Sequence, residues 1–249
     1  MTIDRNTFEE HLLEMHNQTF ISANLKELVY GGIDGIITTF AVVAGFTGAT
    51  MTSGNGESAI IPVTIVLIFG LANLFADGFS MGVGDFLSSR AEKKLFEREW
   101  NKENDAIKNN EQFEYDETVL LLKENGFKKD DAIALTNIYK KNPKFWADFM
   151  MRYELEMARP EKSPVKGAMV TFISFLVFGS IPLLPYIFDI TVFTTKFITA
   201  SIFTAFALAL LGFVRSRFTK EHIFLSMAEV VGLGMFAAFI AYFVGTFFT

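Results

Sequence analysis

Asp77, Met81 and Asp85 are spaced by four within an apolar stretch, so a helix would set two carboxylates and a thioether on one stripe. Asp34 lies in a second apolar stretch, inside Tyr30-Gly-Gly-Ile-Asp-Gly35. Gly31/Gly35 and Gly78/Gly82 are small-xxx-small pairs, which let helix backbones approach closely. The expected outcome is carboxylates and a sulfur at close range on facing helices. Carboxylate oxygens suit hard or borderline divalent cations, whereas a thioether favours softer ones. The chain has no Cys, and none of its three His falls in these stretches. That mixture points to a first-row ion such as Fe²⁺ or Mn²⁺, held loosely enough to leave again.

A second set of donors occupies the charged segment 88–162. Glu92, Glu99 and Glu103 fall at offsets of zero, seven and eleven, one stripe along a helix. Glu114 and Glu117 are three apart and share a helical face. Met150 and Met151 are followed by Glu154, four residues after the first of them. The segment carries 15 Lys/Arg and 16 Asp/Glu, so it offers a cation no bulk field. Selectivity would have to come from particular carboxylates converging. A charge run of this kind is ordinarily a solvated helical surface, and spacing does not decide between the two.

These residues need elements to hold them. Of 249 residues, 51% are apolar, 15% are aromatic and only 20% are charged. Five stretches, at about residues 29–50, 60–87, 165–188, 191–214 and 223–248, are long and apolar enough to cross a bilayer core of roughly 30 Å. An ionisable group inside such a span costs roughly 2.5–3.5 kcal/mol on insertion scales, so it ordinarily faces a cavity or another helix. Asp34, Asp77 and Glu229 are of that kind. Glu229 reads equally as a structural group or a proton carrier, and Asp85 equally as a helix end meeting water. Lys196 is expected to snorkel to the outer interface.

With the amino terminus placed in the cytoplasm, 21 of the 22 Lys/Arg fall on the inner side, which satisfies the positive-inside rule. The net charge of −6 argues against nucleic acid as a partner. Residues 1–28 read as an amphipathic interfacial helix bearing Phe8, Leu12, Met15 and Phe20. The fold expected is an all-α membrane protein with transmembrane helices over 29–87 and 163–249 and a cytoplasmic helical insert over 88–162. Within the insert, breaks are expected at Asn109–Asn110, Asn125–Gly126 and Asn142-Pro143, giving a long helix continuing the second span, two short ones, and one from Pro143 to about Met157.

Four segments carry a family resemblance. Tyr30-Gly-Gly-Ile-Asp-Gly-Ile-Ile-Thr-Thr-Phe-Ala-Val-Val-Ala-Gly45 and Ala76-Asp-Gly-Phe-Ser-Met-Gly-Val-Gly-Asp-Phe-Leu-Ser-Ser-Arg-Ala-Glu92 are two of them. The others are Asp148-Phe-Met-Met-Arg-Tyr-Glu154 and Pro182-Leu-Leu-Pro-Tyr186. In this order they resemble the vacuolar iron transporter family over the chain from about Leu25. The resemblance implies a five-span homodimer that moves Fe²⁺, often also Mn²⁺, out of the cytoplasm in exchange for protons, along a path at the dimer interface. It makes Asp34 the pathway carboxylate of the first span and Met81 its sulfur partner in the second. It makes Glu103, Glu114, Glu117 and Glu154, with Met150 and Met151, the metal-collecting side chains of the insert. Two positions depart from the pattern. Asn73 stands where the plant-type member has a glutamate, and Asp77, one turn further in, is the candidate to replace it. Ala106 replaces a further insert glutamate, with Asp105 beside it but rotated about 100°.

The function expected is therefore proton-coupled export of Fe²⁺ or Mn²⁺ as transported ion, with no resident cofactor and no enzymatic activity. The coupling has a chemical basis, because a buried acid holds its proton more tightly and a bound cation displaces it. A competing class is a non-transporting membrane sensor whose insert binds metal, though a sensor needs no Asp34, Asp77 or Glu229. A multi-span hydrolase would need a positioned base, and His11, His16 and His222 all lie outside the spans. The compact chain suggests a bacterial inner membrane.

Overall fold

The computed structural model describes residues 4–5, 7–8, 20–51, 63–160, 163–188 and 193–248, and among these there are helices and turns but no strand. A short helix, α1 (Phe20–Ala23), leads into α2 (Leu25–Met51). Helix α3 (Val63–Asn109) runs unbroken for 47 residues. Then come α4 (Glu111–Glu124), α5 (Lys129–Tyr139), α6 (Pro143–Tyr153) and α7 (Pro164–Gly179). A 3-10 turn (Ile181–Leu183) joins α7 to α8 (Leu184–Ile187), followed by α9 (Phe193–Thr219) and α10 (Ile223–Gly245). Among the described residues five segments are long and apolar enough to cross a membrane, and the chain is a multi-pass, all-α membrane protein. It divides into two compact units, Met1–Phe86 with Pro164–Thr249, and Leu87–Ser163.

In the first unit α2 is the central helix, packed against α7, α9 and α10. Two clusters of side chains fill it, one around Phe40, Val43, Leu183 and Tyr186, the other around Ile36, Leu208, Leu211 and Val230. Lipid is as apolar as these side chains, so association rests on close packing rather than on escape from water. The glycines supply that closeness, but not between α2 and α3. A methyl group at Gly31 would lie 2.6 Å from the Thr171 carbonyl oxygen, and one at Gly35 would lie 2.5 Å from that of Phe175. Gly78 and Gly82 of α3 likewise face Phe175 and Phe172. Both pairs therefore seat their helices on α7. Phe69, Phe75 and Phe79 of α3 remain more than half exposed.

Helix boundaries follow local chemistry. The third span, expected to be continuous to residue 188, leaves the α-helix after Gly179. Pro182 cannot donate to the ladder, and its ring disfavours helical geometry in the residue before it. The chain continues as the 3-10 turn and α8, which bury Leu183 and Tyr186 in the core. Asn110 and the Asn125-Gly126 pair separate the insert helices. Gly126 adopts φ 94, a left-handed value that glycine reaches at no steric cost. Asn142 caps α6, its side-chain oxygen accepting from the Phe145 amide at 3.3 Å, with Pro143 in the first turn. Helix α6 ends at Tyr153, short of the expected Met157, because the chain turns back: the Met157 amide donates to the Met151 carbonyl at 2.8 Å. Lys196 does not snorkel. It is 3% exposed, and such a burial is tolerable because the group has a partner. Leu12 and Met15 of the expected N-terminal helix, and the short connections after α2 and α8, lie outside the described residues.

Candidate functional site

In the Leu87–Ser163 unit the carboxylates gather from three helices. Glu103 projects from α3, Glu114 and Glu117 from α4, and Glu154 stands at the C-terminal cap of α6. Glu103 and Glu114 are 8% and 6% exposed, while Glu117 and Glu154 are half-buried. Burial, then the charges of Glu114 and Glu154, push the Glu103 carboxyl up to about 8. Burial, then Glu117 and Glu114, push Glu154 up to about 7. Burial raises Glu114 as well. The Glu103 and Glu114 carboxyls lie close enough to interact, which pushes Glu103 further up and offsets part of the rise at Glu114. Even so, one buried oxygen on each of Glu103, Glu114 and Glu154 has no hydrogen-bond partner. Orphaned acceptors in a buried site are costly, and a cation satisfies them.

Among the described residues, no three His, Asp or Glu stand close enough, as the side chains lie, to enclose a metal ion. Raised carboxyls of this kind favour the protonated form, so metal binding there competes with protons. Beside the carboxylates, Met150 and Met151 are fully buried. The Thr118 hydroxyl, one turn after Glu114, lies 3.2 Å from the Met150 sulfur and 2.7 Å from the Glu114 carbonyl, and it accepts from the Trp146 indole N–H at 2.7 Å. The Met150 sulfur is thus held against the helix that carries Glu114 and Glu117.

Two carboxylates of the expected stripe stand apart from this group. Glu99 is bound by Arg98 at 2.5 Å and Lys102 at 3.0 Å, and hydrogen bonds from Lys102 and Arg98 hold it below the usual carboxylate range. Glu92 is exposed. The heptad offset brought them to the Glu103 side of α3, but local cations and solvent claim them. Asp105 is exposed and paired with Lys108 at 3.3 Å, so it does not stand in for the glutamate missing at Ala106.

In the other unit, Asp34 of α2 and Asp77 of α3 are near enough for their charges to interact. Asp34 lines a cavity of about 490 Å³ together with Tyr30, Ile33 and Arg215. Asn73, Asp77 and Met81 follow one another at four-residue intervals on α3, all half-buried. Asn73 borders a groove of about 780 Å³ with Ala41, Gly45 and Ala76, and its side-chain nitrogen is buried without a hydrogen-bond partner. Asp85 does not simply meet water. Its Oδ2 accepts from the Thr171 hydroxyl of α7 at 3.1 Å and lies 3.2 Å from where a Gly167 methyl would stand. Glu229 is held by Arg215 at 2.9 Å, and the same guanidinium binds Glu221 at 3.1 Å. Of its two readings, structural group or proton carrier, this ion pair favours the structural one.

The model of a protein family described as the VIT family matches residues 25–246. The chain belongs to the VIT family. It is 31% identical over 237 residues to a vacuolar iron transporter of Centaurea cyanus, covering 94% of this chain and 92% of that one. It is 32% identical to a vacuolar iron transporter of Plasmodium falciparum (isolate 3D7), covering 94% and 86%, and 34% identical to one of Toxoplasma gondii (strain ATCC 50861 / VEG), covering 94% and 76%. These names lend no support to a bacterial inner membrane. Sequence reasoning overlooked three further polar groups of this VIT chain's insert, Thr118, Trp100 and Asp148. Asp148 opens one of the segments that carry the family resemblance, and that was the available signal.

Proposed function

We propose that this VIT-family chain is a transporter of Fe²⁺, with Mn²⁺ as a second cargo, that moves the ion out of the cytoplasm in exchange for protons. The observation that carries this reading is the set of buried, proton-holding carboxylates Glu103, Glu114 and Glu154, each with an unpartnered oxygen, in a family whose named relatives are iron transporters. In this reading residues 88–162 collect the ion, with Glu117, Met150 and Met151 completing the donor set. Deprotonation and metal binding are then one equilibrium. Asp34, Asp77 and Met81 form the passage through the spans, where paired acids alternate between metal and proton, and Asn73 borders it. The amino terminus lies in the cytoplasm in this reading, which the segregation of Lys and Arg supports. Two copies join as a homodimer with α3 at the contact, its exposed Phe69, Phe75 and Phe79 suiting another helix as well as lipid.

The test is uptake of Fe²⁺ and Mn²⁺ into proteoliposomes with and without an imposed pH gradient. Uptake should rise when protons can flow against the metal, and Asp34→Ala should abolish it while the protein still inserts. Gradient-independent uptake, or undiminished uptake by the variant, contradicts the reading.

A further inference from the structure

Glu103 and Glu154 reach the same site from segments far apart in sequence, and one oxygen ties those segments together. The Trp100 indole N–H of α3 donates to Asp148 Oδ1 at 2.7 Å, and the Arg159 guanidinium donates to the same oxygen at 2.7 Å. Trp100 lies three residues before Glu103, hence on the same side of α3. Arg159 closes the strap that begins at Glu154. That strap is pinned at its start by the Glu154 and Leu155 amides on the Met150 carbonyl, at 2.9 and 3.3 Å, and by the Met157 amide on Met151. Between them Glu156 takes φ 52, an unfavourable left-handed value for a side-chain-bearing residue, so tertiary bonds hold the strap in shape. Arg159 also sits over the Phe96 ring, 5.7 Å from its centroid.

We infer that Asp148 is a positioning residue for metal loading: its Oδ1 joins Trp100 on α3 to Arg159 at the end of the strap, and so fixes Glu103 and Glu154 against each other. The Arg159 pair alone contributes little, because both side chains are largely exposed, at 62% and 43%. The weight rests on the part-buried Trp100 bond and on the sharing of one acceptor. Groups that orient metal-binding side chains without touching the ion typically change affinity by about 10–100-fold when removed. This inference rests on the proposal that the insert collects the cation.

The test uses the full chain in proteoliposomes, measuring initial Mn²⁺ flux against Mn²⁺ concentration. Asp148→Ala should raise the half-saturating concentration about tenfold and leave the maximal rate within about twofold. Asp148→Asn retains an oxygen acceptor and should recover most of the loss, while Trp100→Phe, which removes the donor together with part of the ring, should show a smaller increase than Asp148→Ala. In a Glu103→Gln background, Asp148→Ala should add less than about twofold, since the group it positions is already altered. Unchanged half-saturation in Asp148→Ala, or a full tenfold effect persisting beside Glu103→Gln, overturns the inference. If Asp148→Ala fails to accumulate, Trp100→Phe and Arg159→Met decide, and half-saturation unchanged in both overturns it. Glu103→Gln alone separates the two levels. No effect there sinks the metal-collecting role itself, whereas an effect there beside a silent Asp148→Ala sinks only the positioning role.

Discussion

Three carboxyls raised by burial make the insert pH-sensitive, and the direction follows from the sign of the shift. A carboxyl whose pKa is higher in the folded than in the unfolded chain stabilises the fold while protonated. That contribution is complete below the unfolded value near 4.5 and is lost as pH rises through about 7 to 8, where Glu154 and Glu103 ionise. The chain's two Trp, at positions 100 and 146, both lie in the insert, so intrinsic fluorescence reports on this unit within the intact protein. In chelator, the fluorescence-monitored melting temperature should fall between pH 5.5 and 8.5, and Mn²⁺ should restore it at the higher pH. Glu103→Gln, which keeps the neutral form, should flatten that dependence and stabilise the metal-free insert at pH 8.5 by on the order of 2 kcal/mol. A melting temperature that rises with pH in chelator would mean that these carboxyls are not held neutral.

At the level of elements, glycine contacts in the spans and a single turn in the insert set helix placement. Gly35 brings α2 onto the backbone of α7, and a methyl there meets the Phe175 carbonyl oxygen at 2.5 Å, which no side-chain rotation relieves. Gly35→Val should therefore sharply reduce the amount of monodisperse protein recovered from membranes, whereas Gly84→Ala, with nothing within 4 Å of the new methyl, should not. Equal recovery of the two would argue that α2 and α7 are not packed in this way. In the insert, Gly126 closes the turn after α4, its amide donating to Lys123 at 3.0 Å and the Phe127 amide to Leu122 at 3.1 Å. Gly126→Ala should cost about 1 kcal/mol by Trp-fluorescence melting, with Gly126→Asn milder because Asn tolerates the left-handed region better.

Across the molecule, the elements were more legible in the sequence than their pairing. Span number followed from length and apolarity, and the insert breaks followed from Asn, Gly and Pro, because both signals are local. Charge segregation is equally local and sets an expected orientation. The glycine pairs showed where helices come close but not which helix they meet, since a small-xxx-small pattern has no information about its partner. Spacing brought Glu114 and Glu117 to one face correctly, but it could not tell Glu103, buried, from Glu99, which neighbouring Arg98 and Lys102 neutralise. The bonds of Glu229 to Arg215 and of Asp148 to Trp100 join residues 14 and 48 positions apart, beyond any periodicity argument. Transport of this kind depends on exchange of protons for a metal ion on buried carboxylates. Its most direct test is to count the protons released when Mn²⁺ is added to the full-length protein at pH 7, from calorimetry in buffers of different ionisation enthalpy. About one proton or more should be released per bound ion, and fewer in Glu103→Gln; binding that releases none would rule out the exchange.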